Sequence, residues 1–83
     1  MNETHIPSES ELVTLELSDR LQRALRVSGV TREEMMAYLE VKRNTIGSWL
    51  SGRVPPSPAT IRLWSILTKV PYEWLRDGEW PDA

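Results

Sequence analysis

The segment TREEMMAYLEVKRNTIGSWLSG, residues 31–52, constrains the fold more than any other part of the chain. Thr31 with Glu34 three positions later forms a capping box, which opens a helix over about 32–39. Met35, Leu39 and Met36 turn its apolar side inward. Glu40-Val41 leaves room only for a tight turn. A second helix then covers about 43–50 and stops at Gly52, a residue suited to the left-handed cap position. Helices joined by so short a turn cannot run antiparallel. They cross steeply, and the second stands partly proud of the body with support behind it.

On a helical wheel of residues 43–51, Ile46, Trp49 and Leu50 share one side, while Asn44, Gly47, Ser48 and Ser51 share the other. Ile46 and Trp49, with Val41 from the turn, form the anchor. The outward side is unusual: Asn, Gly and Ser are weak helix formers, and Gly47 alone costs about 0.5–1 kcal/mol against alanine. Surface helices usually carry Glu, Lys and Gln instead. Small residues let a helix press against another surface. Arg43 and Asn44 at its leading end are the side-chain types that make paired hydrogen bonds to guanine and adenine edges.

Similar signals organise the flanks. Ser18 is a candidate cap, followed by Asp19 and an apolar stripe of Leu21, Ala24, Leu25 and Val27, with Gly29 as the stop. Ser57 caps another helix with Pro58 at its first position, burying Ile61, Trp64, Leu67 and Val70. The segment VPYEWLRDG closes the series, packing Trp74 and Leu75 and ending at Gly78. Trp80-Pro81 lies beyond that stop and tucks back, joins a dimer contact or does neither. Residues 1–16 form a polar arm. At its end Val13, Leu15 and the following Leu17 alternate as a short strand or extended segment would, while Val13, Leu17 and Leu21 fit a helix equally. The expected architecture is all-α: a compact five-helix bundle over 17–78, an arm over 1–16 and a tail over 79–83.

A core is marginal in a chain of 83 residues, so four tryptophans must do much of the burying. With no cysteine, neither a disulfide nor a thiolate metal site can help, in keeping with a cytoplasmic location. No stretch has the roughly 20 apolar residues of a membrane span. One histidine (His5, to which no role falls), no glycine-rich phosphate loop and no cluster of metal-ligand residues argue against an enzyme, a metal site or a cofactor. The overall charge of −2 hides a division: residues 1–19 sum to −5, residues 20–70 to +6 and residues 71–83 to −3. A phosphate backbone would meet the basic middle.

The segment from Thr31 to Arg53, followed by PPSPATIRLW and VPYEWLRDG, resembles the helix-turn-helix domain of the lambda-repressor-like family, the Cro/CI type, from about Leu17 to Gly78. The resemblance implies a sequence-specific transcriptional regulator, repressor or Cro-like, of the kind found in actinobacterial phages. It would bind a pseudo-palindromic operator in double-stranded DNA as a homodimer in a bacterial cytoplasm, with no small-molecule ligand. Position by position, it implies that Arg43, Asn44 and Ser48 touch bases. It places Arg32, Thr45, Ser51, Arg53, Ser57 and Arg23 against phosphates, with Arg20 and Arg26 sharing the side of Arg23. Three positions depart from the pattern. Glu40 replaces the common turn glycine, Lys42 the usual Ser or Thr cap, and Lys69 a helix-stopping glycine. The alternative is a protein-interaction module of the same fold, antitoxin-like or adaptor, with weak or no DNA binding. The acidic arm and Lys42 favour it.

Overall fold

A computed structural model describes residues 15–81, which form five α-helices: α1 Leu17–Ser28, α2 Arg32–Leu39, α3 Arg43–Ser51, α4 Pro58–Thr68 and α5 Tyr72–Asp77. Among the described residues there is no strand, and no helix is long and apolar enough to cross a membrane. Most of the acidic arm, including His5 and Val13, lies outside the described residues. Leu17, the last of the alternating apolar positions, is the first residue of α1.

Every helix contributes to one core. Leu21 and Ala24 come from α1, Met35 from α2, Ile46 and Leu50 from α3, Ile61 and Trp64 from α4, and Leu75 from α5. Full burial of such side chains stabilises by about 1.5–3 kcal/mol each, which lets helices of six to twelve residues persist together when none would alone. α1 is the hub, in contact with α3, α4 and α5. Trp64 is fully buried, its indole N–H donates to the Leu21 carbonyl at 3.3 Å, and the half-buried Trp49 meets it edge to face at 6.4 Å. Arg62 and Arg76 both lie over the Tyr72 ring, which docks α5 on α4.

Two apolar or capping expectations are corrected. Ser18 does not cap α1. The Asp19 carboxylate accepts the Glu16 amide at 3.0 Å, so the helix starts at Leu17 and Ser18 lies inside it. Val27 is 66% exposed, because its wheel position falls about 240° from Leu21, away from the stripe. Trp80 is 69% exposed and does not tuck back onto the body.

The other caps follow the sequence. Thr31 accepts the Glu34 amide and Glu34 accepts the Thr31 amide, at 3.0 and 2.8 Å. Ser57 accepts the Thr60 amide at 3.2 Å. Glu40 and Lys69 both adopt left-handed backbone, at φ 58° and 65°. Each carries a steric cost of about 1–2 kcal/mol that glycine would avoid. Around Lys69 the buried Thr68 hydroxyl donates to the Trp64 carbonyl at 2.7 Å, and Ser65 donates to that of Val70 at 2.6 Å. These bonds hold the turn into α5 despite the strain.

Candidate nucleic-acid interface

The α2–α3 connection sets the pose of α3. Left-handed Glu40 reverses the chain, and the Val41 amide donates to the Met36 carbonyl at 3.1 Å. Lys42 then supplies the extended backbone of an N-cap but no side-chain hydrogen bond, as its side-chain chemistry requires. α3 is fixed from behind by Ile46 and Leu50, and from the side by Gln22 of α1, whose amide donates to the Leu50 carbonyl at 2.5 Å. Gly52 ends α3 at φ 84°. A Cβ there would stand 3.2 Å from the Ser18 hydroxyl, a tight contact, and the left-handed backbone is what calls for glycine.

What α3 turns outward is the face read from the wheel. Arg43, Asn44 and Thr45 are exposed, and Gly47 and Ser48 are half-buried. Arg43 is not free: its Nη2 donates to Glu33 Oε2 of α2 at 3.3 Å, with the two side chains 61% and 66% exposed. The Glu33 backbone amide and then the Arg43 guanidinium hold that carboxyl below the ordinary glutamate range. The Ser48 hydroxyl donates to the Asn44 carbonyl at 3.1 Å, so it can offer a partner only lone pairs. Asn44 is exposed, and its side-chain amide has no hydrogen-bond partner among the described residues.

Gly47 has no internal packing role, since a Cβ there meets nothing within 4 Å. Gly47→Ala is therefore expected to stabilise the domain by about 0.5–1 kcal/mol through helix propensity. If the face docks closely against DNA, the same change should weaken that binding. Thermal unfolding and a duplex titration of the one variant check both signs.

The residues expected against phosphates line different grooves or none. Arg32 and Ser51 line an open groove of about 460 Å³ between α1, α2 and α3, together with Gln22, Arg26 and Gly47. Arg23 lines a neighbouring groove of about 160 Å³ that shares Gln22 and Arg26 with it. Thr45, Arg53 and Ser57 line neither; they lie in the first turn of α3, the loop after it and the cap of α4. Arg53 and Ser57 are exposed, and Ser57 is also a structural cap. The Ser51 hydroxyl donates to the Ser48 carbonyl at 3.2 Å and accepts the Arg53 amide at 3.4 Å, which shapes the end of α3.

One arginine leaves the surface set. Arg20 is buried, its Nε donates to the Leu75 carbonyl at 2.8 Å, its Nη2 to that of Arg76 at 2.9 Å, and its Nη1 to that of Leu15. It satisfies the open carbonyls at the end of α5. The wheel puts Arg20 and Arg23 on one side of α1, but only Arg23 and Arg26 are exposed. Sequence reasoning also missed Gln22 as the strut under α3 and Glu33 as the partner of Arg43.

Residues 21–75 match the family described as helix-turn-helix. Neither a curated protein nor a solved structure matches the chain.

Proposed function

Because the chain belongs to the lambda-repressor-like helix-turn-helix family, whose members are DNA-binding regulators, we propose that it is a sequence-specific repressor or Cro-like protein. It lays α3 in the major groove and reads bases with Arg43, Asn44 and Ser48. One observation carries the reading: α3 is anchored by buried Ile46 and Leu50, while its outward face holds exposed Arg43 and Asn44 beside a glycine with open space over it. Small residues allow close approach, and the two leading side chains match the hydrogen-bonding patterns of guanine and adenine. This arrangement favours DNA over a protein-interaction module, for which apolar outward residues on α3 would serve better. Arg32, Ser51, Arg23, Thr45, Arg53 and Ser57 contact phosphates on either flank. The protein binds as a homodimer to a pseudo-palindrome, its half-sites about 34 Å apart, one helical turn.

The test begins with selection of bound sites from a random duplex pool, which reports both motif and symmetry. On the selected site, Arg43→Ala is expected to cost about 1–3 kcal/mol and to relax specificity at one base pair. Arg53→Ala is expected to weaken cognate and scrambled duplexes alike and to lower the salt slope by about one. Equal behaviour of the two variants on both duplexes would remove the assigned roles. No enrichment, or binding that does not decline with salt, would remove the DNA reading itself.

A further inference from the structure

The pair formed by Arg43 and Glu33 asks for an explanation that solvent exposure does not supply. Two long side chains from different helices meet at 3.3 Å at the leading edge of α3, where an unpaired arginine would serve phosphate attraction better. A carboxylate there repels DNA, and although Glu33 in the first turn of α2 complements the helix N-terminus, that role does not require it to meet Arg43. Glu33 is ionised at neutral pH, since the Glu33 amide and the Arg43 guanidinium both favour the charged form, and Arg32 is a further positive neighbour. As a carboxylate it accepts hydrogen bonds and donates none.

We propose that Glu33 and Arg43 together read one G·C base pair, Arg43 donating to guanine N7 and O6 and Glu33 accepting from the N4 amine of the paired cytosine. This rests on the placement of α3 in the major groove. Along that groove a G·C pair displays acceptor, acceptor and donor in order. The pair of side chains displays the complement: guanidinium N–H groups, then a carboxylate oxygen 3.3 Å from Nη2. Only one guanidinium N–H need face Glu33, so the other four remain available to the guanine. An A·T pair shows acceptor, donor and acceptor. Its adenine amine would oppose an arginine N–H, and its thymine O4 would oppose the Glu33 carboxylate. Glu33 thus adds discrimination at a position where Arg43 alone would read only the purine. It also holds the guanidinium in place before DNA arrives, which reduces the rotamer freedom lost on binding.

Glu33→Ala, Arg43→Ala and the double variant, each measured on the selected site and on random duplex, test this. Glu33→Ala is expected to lower cognate affinity and the preference for G·C over A·T at that pair by about fivefold to tenfold, while affinity for random duplex holds or rises. In the Arg43→Ala background the same change should cost less. A second probe removes one group from the DNA: guanine opposite pyrimidin-2-one, which is cytosine without its N4 amine. The wild-type protein should lose several-fold on that duplex relative to the normal one, and Glu33→Ala, which has no acceptor, much less. The proposal is overturned if Glu33→Ala raises cognate and random binding alike, lowers both alike, or leaves the response to pyrimidin-2-one unchanged. Those results would leave α3 in the groove. Failure of the wild-type protein to select any site would instead remove the function on which the proposal stands.

Discussion

Arg20→Ala is expected to destabilise the domain by about 2–4 kcal/mol, because several charge-assisted hydrogen bonds are lost and buried carbonyls are left without partners. For a domain of this size that lowers the unfolding midpoint by about 10–20 °C. The carbonyl of Leu75 is the most exacting of the three acceptors, since its bond to Nε is buried. Arg20→Lys should recover only part of the loss: an ammonium group is compact and cannot span three acceptors as a planar guanidinium does. The fraction that remains folded should bind random duplex with the wild-type salt slope. Urea unfolding and the salt dependence of binding, measured on the same samples, separate this role from phosphate contact. An unchanged midpoint with a reduced slope would return Arg20 to the DNA-facing set.

Trp64→Ala is expected to do more, costing about 3–5 kcal/mol from lost burial and the cavity left behind. Trp64 is fully buried, touches Trp49 edge to face and gives its indole N–H to the Leu21 carbonyl. Stability of a domain is about 5–15 kcal/mol in total, and a chain of this size belongs at the low end. The variant should therefore be largely unfolded at 37 °C, with DNA binding lost in proportion. Trp64→Phe should fall between the two, since it keeps a ring but not the donor. Trp49→Ala should cost less than Trp64→Ala, because Trp49 is only half-buried. Far-UV circular dichroism through a thermal ramp ranks the four proteins. A reversed order for the two tryptophans would mean that burial does not rank the contributions in this corner of the core.

Features that depend on near neighbours in the chain were legible from sequence. The box of Thr31 and Glu34, the Ser57 cap and the tight α2–α3 turn each follow from chemistry within a few residues. The strain at Glu40 was legible through the resemblance, which puts a glycine at that turn position. The outward face of α3 followed from helical periodicity, as did the apolar anchor beneath it. What could not be read were long side chains whose partners lie far along the chain. Arg20 reaches a carbonyl 55 positions away, Gln22 one 28 positions away and Arg43 a carboxylate 10 positions away. None of these partners follows from a local pattern. The start of α1 was misplaced for a related reason: Asp19 acts backwards on Glu16, and the better-known cap residue between them is idle.

The Arg20 guanidinium gathers Leu15, just ahead of the first helix, and Arg76, near the end of the last, onto a single group. Entry to and exit from the bundle are therefore side by side. A short linker should suffice to join them, so that new termini could be opened elsewhere, for instance in the exposed loop at Val54-Pro55. Any appendage fused at either end would sprout from the same corner of the domain.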